Sequence, residues 1–309
     1  MKEQRYLPEG MCMSRCPHTA DGLDKARESG EILEAMAVRC GPDHDLTVDL
    51  GEITGIIPRE ESVLGIETGQ VKDIAILSRV GRPVCFRVLS VDRETNTAIL
   101  SRKQAQQECL NYLLSTLTPG DILPAVVTHL EPFGAFIDIG LGIASLISIE
   151  NISISRISHP ADRFAPGQHI FVVVRSVDPE AGRIYVSHKE LLGTWLENAG
   201  RFSVGETVTG VVRSIEDYGI FVELTPNLAG LCEYRSDVVP GQQVSVFIKN
   251  IIPQRMKIKM LIIATLDTAP RLPLHYALTE GHLSQWVYSP DQCPRLIRTQ
   301  FDPVPDMLG

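Results

Sequence analysis

Four aromatic side chains fall into two copies of one spacing: Phe133 and Phe136 around Gly134, and Tyr218 and Phe221 around Gly219, 85 positions further on. One aromatic on a strand is ordinary core. Two around a glycine, the first of them in the turn itself, point to at least one exposed ring. An exposed ring on a strand is a stacking face for an unpaired base, where contact contributes about 1–3 kcal/mol per base. A second candidate is ionic: Lys249, Arg255, Lys257 and Lys259 form the most basic stretch of the chain. Two readings of it stand, a charged edge that discourages strand addition and a phosphate contact beside Tyr218 and Phe221. Cys12, Cys16 and His18 lack a fourth ligand nearby, and no paired CxxC accompanies them, so no metal is expected. No phosphate-cradling GxxxxGK[ST], GxSxG elbow or HExxH occurs, and Glu60 and Glu61 have no partner carboxylates at a two-metal spacing. No catalytic residue, cofactor or reaction of its own is expected.

The elements that must position the rings can be read from alternation. Ile122, Val126 and Thr128, then Phe136, Ile137 and Ile139, mark two strands joined across the turn Glu131-Pro132-Phe133-Gly134. A third strand is expected over 143–149. A final hairpin pairs 169–177 with 183–187 around Asp178-Pro179-Glu180-Ala181-Gly182. Five short strands in about 70 residues suit a small closed barrel that binds on an outer face.

The unit repeats. Gly81, Asp92, Ser101 and Lys103 recur 86 positions on as Gly167, Asp178, Ser187 and Lys189. The first copy has Asp45-Leu46-Thr47-Val48-Asp49 where the second has its phenylalanines, so it keeps the barrel and drops the stacking face. A structural or protein-docking role is expected of it. The third copy has Gly241 only 74 positions beyond Gly167, so 11 residues are missing between its third and fourth strands. The expected organisation is a lead-in over 1–29 with a short helix capped by Asp21 or Thr19, then a degenerate barrel over 30–103. A linker helix over 104–117 leads to a barrel over 118–190. A short connection carrying Trp195, read as packed, leads to a shortened barrel over 203–264. In the tail over 265–309, Tyr276, Trp286 and Tyr288 suggest a small hairpin docked on the third barrel, while His275 and His282 are assigned no chemistry.

Composition sets limits. The chain has 309 residues, 44% of them apolar, a net charge of −9 and seven scattered cysteines. An odd, scattered cysteine count argues for a reducing cytoplasm. No apolar run reaches the roughly 18–20 residues a membrane helix needs, and the start MKEQRYLPEGMCMSRC has no apolar signal core. The acidic balance excludes a protein that grips duplexes chiefly by neutralising phosphates. It leaves stacking on single strands open, weak per barrel and strengthened by linking barrels.

The pattern from PGDILPAVVTHLEPFGAFIDIG through SRISHP and GQHIFVVVRSVD to GRIYVSHK resembles the S1-type RNA-binding repeat of the OB-fold class. Its SRISHPADRF loop is particularly similar to repeats of the bacterial ribosomal protein S1 family. The resemblance covers about residues 30–264. It implies an all-β fold, a tandem array of three five-stranded OB-fold barrels joined by short helical linkers. It also implies single-stranded RNA, messenger RNA above all, as ligand and the small ribosomal subunit as partner, reached through the first barrel. The expected RNA-binding residues are Phe133, Phe136, Arg156, His159, Asp178, Arg183, Tyr218, Phe221, Lys249 and Lys257. Ser148 stands where the family often has a histidine, which weakens base contact from the third strand. A regulatory RNA-binding protein off the ribosome and a protein-interaction scaffold are the rival readings.

Overall fold

The computed structural model describes residues 6–11, 17–266 and 272–302. Helix α1 (Ala20–Ser29) opens the described fold. The Thr19 side chain caps it by accepting from Gly22, and Gly30, in the left-handed region, ends it. Its Leu23 and Ala26 close one end of the first barrel. That barrel has strands β1 (Leu33–Cys40), β2 (Leu46–Leu50), β3 (Ile53–Ile57), β4 (Arg82–Asp92) and β5 (Thr97–Ser101) in the closed order β1-β2-β3-β5-β4. A short helix α2 (Ile74–Leu77) lies between β3 and β4.

Helix α3 (Arg102–Thr116) begins two residues before the expected linker helix. The Ser101 hydroxyl, accepting from the Gln104 amide at 2.9 Å, sets its start. The second barrel follows with β6 (Ile122–Glu131), β7 (Gly134–Asp138), β8 (Ala144–Ser148), β9 (His169–Asp178) and β10 (Arg183–Ser187), in the order β10-β9-β6-β7-β8. Strands β8 and β10 lie side by side without a backbone ladder, and the Ser145 hydroxyl donates to the Ile184 carbonyl at 2.7 Å. A single helical turn α4 (Trp195–Ala199), boxed by Thr194 and Glu197, leads to the third barrel and buries Trp195. Strands β11 (Thr207–Glu216), β12 (Gly219–Thr225), β13 (Leu228–Cys232), β14 (Gln243–Ile252) and β15 (Lys257–Leu266) close as in the first. Pairing of Leu266 with Gln243 carries β15 past the expected end at 264. The tail hairpin, β16 (Gln285–Val287) and β17 (Arg298–Gln300), completes the fold.

Alternation runs through the barrels: Leu46, Val48 and Leu50 in β2, and Ala135 and Ile137 in β7, are fully buried, while in β6 the buried set is Leu123, Ala125 and Val127 rather than Val126 and Thr128. Each inward Leu, Ile or Val contributes about 1.5–3 kcal/mol of burial. The fold is therefore all-β in the main, as three OB-type barrels.

The junctions hold more than the sequence suggested. Residues 6–11 of the lead-in run between barrels one and two. Buried Glu9 accepts from Arg102 Nε and Nη2 at 2.6 and 2.8 Å, and its own amide donates to Asp138 of barrel two at 2.8 Å. On the other side, the segment between β8 and β9 reaches barrel three. There Arg163 is buried against Glu223 of β12, which Arg213 also holds, and the Ile154 amide donates to Asn227 at 2.9 Å. The tail straps this second junction, placing Trp286, Tyr288 and Phe301 in one cluster with Ile122 of barrel two and β11 to β15 of barrel three. His282, for which no chemistry is expected, bridges Asp121 and Asp302 at 2.9 Å each. The hairpin thus packs on both barrels rather than on the third alone.

Candidate nucleic-acid interface

Strand register places one outward row of side chains around each barrel. In barrel two, His129 pairs with Phe136 and Phe136 with Leu146, while Tyr185 pairs with Ser176 on the remaining two strands. In barrel three the row is Ser214, Phe221, Leu231, Lys259 and Asn250. In barrel one it is Arg39, Thr47, Ile56, Ile99 and Ser90. Each first strand carries a one-residue bulge before its row position, at Val38, Thr128 and Arg213. Each fourth strand carries another, at Leu89, Arg175 and Lys249. A bulge re-aims the side chains that follow it. Here it turns His129 onto the ring face.

The two ring pairs share one geometry. Phe133 and Phe136 meet edge to face with centroids 6.1 Å apart, and Tyr218 and Phe221 do the same at 6.1 Å. The outer rings stand in solvent, Phe133 at 55% exposure and Tyr218 at 70%, while Phe136 and Phe221 are half-buried beneath them. A T-shaped pair is a favourable aromatic arrangement, so each inner ring holds its outer neighbour upright with one face open. The glycine between the rings is required by close backbone approach. A Cβ on Gly134 would lie 2.4 Å from the Ile147 carbonyl oxygen, and one on Gly219 2.4 Å from that of Cys232.

The remaining expected residues divide between contact surface and scaffold. Arg183 is exposed at the foot of β10, paired in register with Asp178. Asp178 Oδ1 accepts from the Ala181 amide at 3.0 Å, so this carboxylate pins the β9–β10 turn. Arg156 is exposed, but its neighbours Ile154 and Ser155 hydrogen-bond to barrel three. His159 Nδ1 accepts from the Ala161 amide at 3.1 Å and caps a short turn, which commits that nitrogen to the loop. The SRISHPADRF loop is thus largely spent on joining barrels two and three. Lys257 is exposed two residues before Lys259 on β15. Lys249, the bulge residue of β14, donates to Glu233 at 2.8 Å and holds that carboxyl below its usual range. Solvent and salt screen such an exposed pair, which leaves the ammonium ready to exchange partners.

Two members of the barrel-two face were missed. The His129 ring lies 6.3 Å from Phe136, and its Nε2 sits 2.7 Å from Glu131 Oε1. The bulge at Thr128 breaks the period-two count, so alternation alone hides His129. Tyr185, 43% exposed, is two residues from Arg183 on the same strand, and simple alternation would have found it. Among the described residues no cluster of three or more His, Cys, Asp and Glu is placed to hold a metal ion. Cys12 and Cys16 lie outside the described residues. Among the described residues no helix is long and apolar enough to cross a membrane.

The S1 RNA binding domain family matches residues 116–189, which is barrel two with the end of α3. Small ribosomal subunit protein bS1 of Staphylococcus aureus is 32% identical over 278 residues, covering 84% of this chain and 68% of that protein. The protein of the same name from Staphylococcus haemolyticus is 31% identical over 278 residues, with 85% and 69% covered. A crystal structure of a multidomain protein with nucleic acid binding domains from Streptococcus pneumoniae is 15% identical, covers 75% of this chain and 73% of that one, and superposes with a TM-score of 0.25.

Proposed function

The chain belongs to the family of small ribosomal subunit protein bS1, and from that membership we propose that it binds single-stranded RNA through barrels two and three at the small ribosomal subunit. The bound RNA is messenger RNA, held in support of translation initiation in the cytoplasm. The chain acts by binding and carries out no reaction. One observation carries this reading: the same T-shaped ring pair, with its outer face open, stands at the same register position of two barrels. Stacking of this kind is tolerant of sequence and needs little positive charge, which suits a chain of net charge −9.

Barrel one serves docking or architecture. Its row has Thr47 and two isoleucines in place of rings, and Met36, Val38, Ile74, Leu77 and Val80 expose apolar surface elsewhere on it. Apolar side chains left exposed in this way suit contact with a protein partner.

The test is fluorescence anisotropy of a labelled unstructured RNA titrated with the full chain. Micromolar binding is expected. In the variant Phe133→Ala, Phe136→Ala, Tyr218→Ala, Phe221→Ala the affinity should fall at least about thirtyfold, as loss of two stacked bases requires. Circular dichroism should show the barrels intact. Equal binding by a folded quadruple variant would leave the protein-scaffold reading in its place.

A further inference from the structure

Barrels two and three differ at the two ends of an otherwise matching face. β10 and β15 are equivalent strands. Arg183 corresponds to Lys257 and Tyr185 to Lys259, each 74 positions apart, as Gly167 and Gly241 are. Register supports the equivalence independently. Tyr185 pairs with Ser176 and Lys259 with Asn250, each next to the bulge residue of its partner strand, Arg175 or Lys249. In barrel three the row runs directly from Phe221 through Leu231 to Lys259. Barrel two therefore presents a phenol ring at the far end of the row where barrel three presents an ammonium. At the near end it presents the His129 imidazole against Phe136, where barrel three has only Ser214.

We propose that Tyr185 is a further RNA-contacting residue of barrel two, a second stacking site beyond the Phe133/Phe136 pair. At the same place on barrel three, Lys259 takes a phosphate. The two barrels thus divide the labour, one gripping mainly bases and the other bases and backbone. This rests on the single-strand reading given above.

The spacing fits the task. Neighbouring strands lie about 4.8 Å apart, so Phe136 and the Tyr185 position, two strands on, are separated by roughly 10 Å. That distance suits bases one or two nucleotides apart on an extended strand. Tyr185 is 43% exposed, so its ring has a face to offer. Its neighbour Arg183 and the bulge residue Arg175 are both exposed, and they supply the local cations that barrel two retains. Leu146, half-buried between the two ring sites, has no polar group to place against a base edge, so recognition along this row rests on stacking and apolar contact.

The ionic part is read from the salt dependence of affinity. For single strands each phosphate contact contributes about −0.7 to the slope of log affinity against log salt. The full chain is titrated with a labelled unstructured RNA over a range of potassium chloride concentrations. Tyr185→Lys should steepen the slope by about 0.7, and Lys259→Tyr should flatten it by about the same amount. Tyr185→Ala should weaken binding about tenfold at high salt, whereas Tyr185→Trp should retain or improve it.

Rescue by tryptophan separates a stacking role from a merely structural one, and circular dichroism of each variant reports the fold. If Tyr185→Ala binds as wild type while the four-ring variant has lost binding, Tyr185 lies off the RNA path. The inference then fails and the ring-pair reading stands. Unchanged slopes in both exchange variants overturn the division of labour. A wild-type chain that does not bind at all overturns the parent reading and this inference together.

Discussion

Where barrel two carries Phe136, barrel one carries Thr47, on the same strand and opposite the residue that follows the same bulge. Where barrel two has Gly134 tucked under the Ile147 carbonyl, barrel one has Asp45, whose carboxylate accepts from the Arg59 amide at 2.8 Å. The strand order agrees, and so does the placing of both bulges. What separates a ring-bearing barrel from a plain one is thus a handful of outward residues on a frame held by inward ones. The frame tolerates the exchange because the row lies outside the core: Thr47, Ile56 and Ile99 are half-buried, whereas their strand neighbours Val48, Ile57 and Leu100 are wholly buried.

That contrast is breakable by experiment. The largest effect is expected from Phe133→Ala with Phe136→Ala, which should weaken RNA binding at least about fivefold. Thr47→Ala in barrel one should leave anisotropy titrations unchanged, and an equal loss from Thr47→Ala would end the distinction between the two barrels. Next comes Gly134→Ala. Its Cβ must displace the Ile147 carbonyl and part β7 from β8, at a cost of about 2 kcal/mol in stability and several-fold in RNA affinity. Thermal unfolding and anisotropy read the two losses, and Asp45→Ala should show only the first kind, through the lost hydrogen bond to Arg59. A graft is the sharper test: Thr47→Phe with His44→Phe should raise affinity by a few-fold. A folded graft without gain would show that the glycine and its close strand contact are part of the platform.

The smallest effects concern the junctions on either side of barrel two. Asp138, buried beside Glu9, has its pKa raised from 3.8 to about 7, mainly by desolvation. Between those values the unfolded chain is ionised there and the folded one is not, so this group's contribution to stability declines as pH rises from about 4 to about 7. His188, buried between the Ile152 carbonyl and the Tyr276 hydroxyl, is lowered from 6.5 to about 4 by desolvation. Its contribution runs the other way, being lost as pH falls from about 6.5 towards 4. Urea unfolding across this range should therefore show pH slopes shifted in opposite directions by Asp138→Asn and His188→Asn. Shifts in the same direction would refute the assignment of the two burial effects.

Much of this was legible in the sequence, and the reasons differ by feature. Period-two alternation and an 86-residue echo of Gly81, Asp92, Ser101 and Lys103 are local signals, and they led directly to barrels. The ring pairs were legible because their glycines mark the turns. His129 was not, since a bulge leaves no mark in composition. The roles of Glu9, Arg163 and His282 were hidden for a different reason: each depends on a partner far along the chain, Arg102, Glu223 and Asp121 respectively. Charge alone does not say which distant opposite it will meet. The loop containing Arg156 and His159 illustrates the same limit. Its likeness to RNA-binding repeats was visible, while its hydrogen bonds to Pro226 and Asn227 of the next barrel were not.

The clasp between barrels two and three has a kinetic and a metric side. With Arg163 sunk against Glu223 and the tail hairpin packed across the seam, the two ring platforms cannot drift apart as beads on a string do. On the proposed stacking role, a strand seated on one platform would find the other at a set distance, with no search and little ordering left to lose. The pair should then act as a gauge of unpaired length. Affinity should stay at the one-platform level for short oligonucleotides and step up once the run is long enough to touch both. Dissociation should slow at the same length, because letting go then takes two coincident releases instead of one.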